Sequence, residues 1–186
     1  VASGTERQLP GGATGGNRMS ILILGGSGQV GFELQRALAP LGNCIAPGRR
    51  TLDLQDAAAV VRLLDELRPT LIVNAAAWTA VDAAEKARDE AFRLNAALPA
   101  QLADYCASHS ATLVHYSSDY VYPGDGDTAW RETSETGPLS VYGKSKLAGD
   151  EAVLASGADA LIFRTSWVYS ARGHNFMKTM LRLARE

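Results

Sequence analysis

Ile21-Leu22-Ile23-Leu24-Gly25-Gly26-Ser27-Gly28-Gln29-Val30-Gly31 decides the fold. Its first four residues are an unbroken apolar run, the pattern of a short strand buried on both faces of a parallel sheet. Gly25, Gly28 and Gly31 follow at once in GxxGxxG spacing. A strand that turns sharply into a helix needs glycine for unusual backbone angles and for close approach to a diphosphate. Beyond the turn, Val30, Leu34, Leu38 and Leu41 recur at helical spacing, which predicts a helix over 29–40. Such a helix points the free amides of its first turn, those of Gln29, Val30 and Gly31, at that anion. The same glycines would also suit a plain tight turn. Their place between a buried strand and an amphipathic helix favours a dinucleotide site.

Strand and helix patterns continue to alternate outward from this unit. Strands are expected at 44–46, 71–73, 112–116 and 160–164, and helices at 56–67, 82–88, 90–108, 141–156 and 176–185. Pro69 stops the helix over 56–67, and a polar loop rich in Gly, Asp and Pro runs over 122–140. This order predicts an α/β fold, a doubly wound, Rossmann-like parallel sheet with right-handed crossovers, over residues 19–186. Residues 1–18, VASGTERQLPGGATGGNR, carry no hydrophobic period. They read as a flexible leader or a cloning remnant outside the fold.

Composition excludes several classes of function. The chain has 186 residues, 46% hydrophobic and 20% charged, with a formal net charge of -2. A disordered tail would lack that apolar content, and no run is long enough to span a membrane. Lys and Arg are scattered, so no polybasic surface for nucleic acid is expected. Cys44 and Cys106 form no CxxC pair, and His109, His115 and His174 lack metal-ligand spacing. No signal-peptide pattern is found at the N-terminus, and a cytoplasmic location is the expectation.

The segment after the second strand selects the cofactor. A carboxylate there would accept the ribose 2′-hydroxyl of NAD, whereas arginine favours the 2′-phosphate of NADP. Arg49 and Arg50 stand there with no acid before Asp53, which points to NADPH; two solvated loop arginines are the alternative. Leu52-Asp53-Leu54 suits the adenine side, with Asp53 accepting from the exocyclic amine or serving the start of the next helix. The small side chains of Ala75, Ala76 and Ala77 would let a cofactor lie across the strand ends.

Tyr142 and Lys146 form a YxxxK pair on one face of a predicted helix. Ser118 falls at the end of the fourth strand, where doubly wound sheets place ligands. Reducing a ketone needs a hydride on carbon and a proton on oxygen. NADPH would supply the first and the Tyr142 hydroxyl the second. The Lys146 ammonium would lower the tyrosine pKa and hold ribose hydroxyls, and Ser118 would orient the carbonyl oxygen.

Four segments carry a resemblance to a known family: ILILGGSGQVGFELQRAL (21–38), RPTLIVNAAAWTAVDAAE (68–85), LVHYSSDYVYPGDGDTAWRETSETGPLSVYGKSKLAGDE (113–151) and LIFRTSWVYSARGHNFMKTMLRLARE (161–186). From Met19 onward the chain closely resembles the dTDP-4-dehydrorhamnose reductase family, in the extended branch of the short-chain dehydrogenase/reductase superfamily. The resemblance implies NADPH-dependent reduction, with NADH less strictly used, of the 4-keto group of dTDP-4-dehydro-6-deoxy-L-mannose. The product is dTDP-L-rhamnose, for cell-surface polysaccharide.

In that family Ser118 (threonine in many members), Tyr142 and Lys146 occupy the catalytic positions. The glycine turn, Asp53, Leu54, Ala75, Ala76 and Lys146 match cofactor contacts. Val81, Asp119, Tyr120 and Trp167 would meet the sugar. Trp167 would stack on its ring, a core residue being the alternative. Some members hold Mg²⁺ at a homodimer interface with a glutamate corresponding to Glu33. The other ligands would lie past residue 186, so no complete metal site is expected. Members are longer, which implies that the C-terminal lobe clamping the sugar is largely absent. Two other readings share the fold: an NADP-binding regulatory subunit of the methionine adenosyltransferase type, and another nucleotide-sugar reductase or epimerase.

Overall fold

Apolar runs pair side by side to build the sheet in the computed structural model, which describes residues 19–185. Met19–Leu24 (β1) pairs in parallel with Gly42–Ile45 (β2) on one side and Leu71–Asn74 (β3) on the other. Thr112–Ser118 (β4) continues beside β3, and Asp159–Thr165 (β5) beside β4. The order is β2-β1-β3-β4-β5, parallel throughout. The leader expected over 1–18 lies outside the described residues.

Gln29–Leu38 (α1) and Ala57–Leu67 (α2) cross between the first three strands. Asp56 caps α2, accepting from the amides of Ala58 and Ala59 at 2.9 and 3.0 Å. Arg68 ends it in the left-handed region at φ 42. Val81–Ala84 (α3) is followed by Arg88–Phe92 (α4), a π-helical turn at Arg93–Ala97 and Leu98–His109 (α5). Val141–Ala155 (α6) precedes β5, and Phe176–Leu183 (α7) follows it.

The helix expected over 29–40 stops at Leu38, because Pro40 lacks the amide that would continue it; Leu41 lies outside it and is exposed. The helix expected over 82–88 shortens to four residues, and that expected over 90–108 is interrupted by the π turn. No helix among the described residues is long and apolar enough to cross a membrane.

Alternation along the strands divides the core into two. Leu22, Leu24, Ile72 and Leu113 pack with Val60 and Leu64 of α2, Leu98 and Leu102 of α5 and Val153 of α6. Ile21, Ile23, Leu71 and Val73 face Leu34 and Leu38 of α1 on the opposite side. Each such fully buried side chain contributes about 1.5–3 kcal/mol against the entropy of ordering it. The two faces are unequally clothed. α1 serves the β1–β3 part of its face, while Leu161 and Phe163 on β5 stay exposed.

Candidate active site

Because all five strands run the same way, every loop that leaves a strand opens on one edge of the sheet. The strand order reverses between β1 and β3, and crevices that hold ligands form at such a point. The glycine turn stands there. Gly25 takes φ +79, and the Gly28 amide closes the turn on its carbonyl at 2.9 Å. A Cβ on Gly25 would lie 2.6 Å from the Ala75 carbonyl oxygen and the Ala76 amide, so the loop after β3 packs directly on the turn. The N-cap of α1 is Gly28, whose missing side chain leaves the first amides of the helix open. This cradle fits the diphosphate of a dinucleotide.

The other residues expected at the cofactor lie on the same edge. Arg49 and Arg50 are exposed after β2. Asp53 is also exposed and its carboxylate accepts from the Gln55 amide at 2.9 Å; the cap of α2 is Asp56 instead. Leu54 is half-buried against the core. Ala76 is buried, with Ala75 and Ala77 half-buried on either side. Gln29 receives a hydrogen bond from the Asn175 side chain at 2.9 Å, which ties the loop after β5 to the glycine turn.

Ser118, Tyr142 and Lys146 come together at the mouth of this edge. The Tyr142 hydroxyl lies beside the Ser118 side chain, and its ring meets that of Tyr120 edge-on at 5.4 Å. Ser118 donates to Asp119 at 3.2 Å and accepts from the Tyr120 amide at 3.2 Å. Asp119 in turn accepts from Ser166 at 2.7 Å, joining the ends of β4 and β5. Lys146 is 1% exposed, and its ammonium donates to the Tyr116 carbonyl at 2.7 Å. Burial pushes its pKa down to about 8, against the opposing charge of Asp150. Lys144, two residues before it, faces solvent.

One expectation is corrected. From sequence, Lys146 should lower the pKa of Tyr142. Burial, with the charges of Asp119 and Tyr120, instead raises it, although the neighbouring Ser118 hydroxyl works the other way. The lysine is turned to the Tyr116 carbonyl. A raised pKa keeps the phenol protonated, which is the form a proton donor needs.

Close packing places α6. A Cβ on Gly143 would strike the Tyr120 carbonyl oxygen, and one on Gly149 the Asn95 carbonyl oxygen. Asn95, fully buried in the π turn, accepts from the Trp78 amide at 2.9 Å and donates to the Trp78 carbonyl and the Ser145 hydroxyl, each at 3.0 Å. It locks the loop after β3 to the helix that carries Tyr142. Sequence gave no sign of it beyond a polar residue inside a helical pattern. A second missed group lies beneath Lys146. Arg164 donates to Asp150 at 3.1 Å and to the Tyr122 hydroxyl at 2.8 Å, and Tyr122 donates to the Arg131 carbonyl at 2.9 Å. The spacing of 142, 146 and 150 on one helix face is its only trace in the sequence.

A pocket of about 240 Å³ beside Ser118 is lined by Asp119, Tyr120, Tyr122, Pro123, Gly124, Leu139 and Ser140. Val81 packs near Tyr142 with Trp78 and Ala84. Trp167 is 73% exposed at φ 51, edge-on to Phe176 at 4.9 Å, and stands outside the core formed by the described residues. Arg49 and Asp53 follow β2 at one edge of the sheet, and Trp167 follows β5 at the other, next to the strand that ends in Ser118. Glu33 pairs with Arg36 at 3.3 Å on α1. Among the described residues, no three His, Cys, Asp or Glu side chains are grouped to hold a metal.

A parallel sheet with a glycine turn at its crossover point and a Ser–Tyr–Lys set at the same edge defines the Rossmann-like class of short-chain dehydrogenase/reductase type. Residues 19–186 match the family described as the RmlD substrate binding domain, and the chain belongs to that family. It is 52% identical over 172 residues to a dTDP-4-dehydrorhamnose reductase of Shigella flexneri, covering 90% of this chain and 58% of that protein. It superposes with a TM-score of 0.85 and 37% identity on the crystal structure of dTDP-4-dehydrorhamnose reductase from Bacillus anthracis in complex with NADP, covering 90% of this chain and 60% of that one. The UDP-glucose 4-epimerase of Thermus thermophilus, solved with NAD, shares the fold at 24% identity and a TM-score of 0.72, over 83% of this chain and 57% of that one. The chain thus spans somewhat more than half the length of the relatives it matches.

Proposed function

We propose that this chain carries the cofactor-binding and catalytic part of a cytoplasmic dTDP-4-dehydrorhamnose reductase, with residues 19–186 as its dinucleotide domain. The observation that carries this reading is the Tyr142 side chain beside Ser118, with Lys146 one helical turn away, on the sheet edge that also bears the glycine turn. The amides of Gln29, Val30 and Gly31 would hold the diphosphate between Gly25 and Gly28. Arg49 would meet a 2′-phosphate, Asp53 and Leu54 the adenine, and Ala75, Ala76 and Ala77 the flat of the cofactor. When bound, NADPH supplies the hydride that goes to C4 of the sugar.

Tyr142 gives its proton to O4, so ketone, hydride and proton together make the alcohol. Ser118 holds O4 by a hydrogen bond while charge develops on it. Lys146, one helical turn from Tyr142, would hold ribose hydroxyls of the cofactor. Val81, Asp119, Tyr120 and Trp167 surround the sugar. The test is NADPH consumption by the natural full-length polypeptide with dTDP-4-dehydrorhamnose, with the product sugar identified. Tight NADPH binding with no consumption would overturn the enzymatic reading in favour of a regulatory subunit.

Changing Arg49 and Arg50 together to glutamate is expected to shift cofactor preference toward NADH by about tenfold or more, since a charge-assisted phosphate contact is worth about 1.5–3 kcal/mol. Fluorescence titrations with both cofactors check it. An unaltered preference would make them solvated loop residues.

A further inference from the structure

The loop that follows β4 supplies Tyr122, Pro123 and Gly124 to the pocket beside Ser118, and Leu139 and Ser140, just before α6, add to its lining. Residues 123–136 are largely polar and mostly exposed, and they turn twice through left-handed glycines, Gly124 at φ 77 and Gly126 at φ 82. A stretch of that kind buries little apolar surface to offset the entropy of ordering it.

Among the described residues, one hydrogen bond links 123–136 to a residue outside that stretch: the Tyr122 hydroxyl donates to the Arg131 carbonyl at 2.9 Å. The Tyr122 ring also stacks on Trp130, with 4.9 Å between centroids and 3° between planes.

Tyr122 is itself held from the core. Arg164 Nη1 on β5 donates to its hydroxyl at 2.8 Å. An arginine has no acceptor, so the hydroxyl accepts here and keeps its proton for the Arg131 carbonyl. Arg164 Nε donates to Asp150 of α6 at 3.1 Å, and that carboxylate is fully buried. The N–H groups of a guanidinium lie in one rigid plane, so fixing one of them aims the others. Asp150, Arg164, Tyr122 and Arg131 thus form a line from the inner face of α6 through the end of β5 to the pocket loop.

We propose that Arg164 and Tyr122 act as a strut that sets the shape of the substrate pocket, Arg164 being a positioning residue and Tyr122 the lining residue it positions. The proposal rests on this pocket being the one that takes the sugar. Without the strut the loop samples open arrangements as well. Substrate then binds only the fraction with the wall in place, and apparent affinity falls by that fraction. Ser118 and Tyr142 lie outside the loop, and the Tyr120 amide keeps its bond to Ser118. Once the sugar is bound the proton donor stands as before, so the effect falls on KM and spares kcat.

The experiment compares the natural full-length polypeptide with Tyr122→Phe, which keeps the ring against Trp130 and removes the hydroxyl alone. KM for dTDP-4-dehydrorhamnose is expected to rise about tenfold, as the loss of a hydrogen bond from a charged group implies, with kcat within about threefold. Arg164→Lys keeps a cation for Asp150 but cannot make both bonds, and should raise KM similarly. The double variant should be no worse than the worse single one, because both break the same line. A merely structural hydrogen bond would lower the melting temperature and leave KM in place. An unchanged KM in Tyr122→Phe, equal falls in kcat and kcat/KM, or additive effects in the double variant overturn the proposal; if Tyr122→Phe fails to fold, Arg164→Lys decides alone. A native polypeptide that turns nothing over sinks the proposed function, and hydrogen exchange then tests the strut. The Gly137 amide, bonded to the Val121 carbonyl at 3.0 Å at the base of the loop, should exchange about tenfold faster in Tyr122→Phe, and equal exchange overturns the strut.

Discussion

Tyr142→Phe is expected to lower turnover of dTDP-4-dehydrorhamnose by about 10²–10⁴-fold and to leave NADPH affinity within a few-fold. The change removes one oxygen. The ring keeps its edge contact with Tyr120 and its packing against Ala84 and Ala91. Ser118 keeps Asp119 and the Tyr120 amide as partners, so the folded state should lose little stability. What disappears is the proton for O4. The raised pKa of Tyr142 means that this proton is in place through neutral and mildly alkaline pH in the native protein. Steady-state kinetics on the natural full-length polypeptide, fluorescence titration with NADPH and a thermal melt check the three parts. A collapse in melting temperature or in cofactor affinity would make the hydroxyl structural and end its assignment as donor.

Gly31→Ala is expected to destabilise the fold by about 3 kcal/mol and to weaken NADPH binding by about 100-fold. A Cβ at this position would strike the Gly25 carbonyl oxygen and stand 2.7 Å from the Gly25 carbonyl carbon and 2.9 Å from Gly26 Cα. All three are backbone atoms of the turn, so no side chain can swing aside. Either α1 moves outward, exposing Leu34 and Leu38, or the turn opens and its amides no longer converge. At this chain size the melting temperature should fall by roughly 10 °C. Ser27→Ala, at an exposed position in the same turn, should change neither quantity, and so serves as the control. Unchanged melting and affinity in Gly31→Ala would show that the turn tolerates widening and does not clasp a diphosphate.

Much of the fold was legible because its signals are local. Ile21–Leu24 is apolar throughout, and the glycine spacing that follows can be read without knowing what lies next to it. The order of strands and helices came from the same short-range periods. The errors fell where a local pattern met a tertiary demand. The pattern over 90–108 looks like one helix, yet the chain widens at Arg93–Ala97, where Asn95 satisfies both backbone groups of Trp78 across the fold. Leu41 fits the period of α1 but lies beyond Pro40.

The candidate site divides the same way. Gly25, Gly28 and Gly31, the YxxxK pair of Tyr142 and Lys146, and Ser118 at a strand end were marked in the sequence by residue type and spacing, because a turn or a helix face dictates them over a few residues. What surrounds them could be decided only by the parallel stacking of β4 beside β5 and the seating of α6 on Gly143 and Gly149. That stacking brings Arg164 to Asp150 and Tyr122, and sets His115 opposite the same carboxylate. It also buries Lys146 and turns it to the Tyr116 carbonyl, and it buries Tyr142, whose pKa therefore rises where the spacing alone suggested a fall. Spacing can name the groups that share a helix face. Their charge depends on how much water and which opposite charges the folded chain leaves around them, and residues distant in sequence settle that.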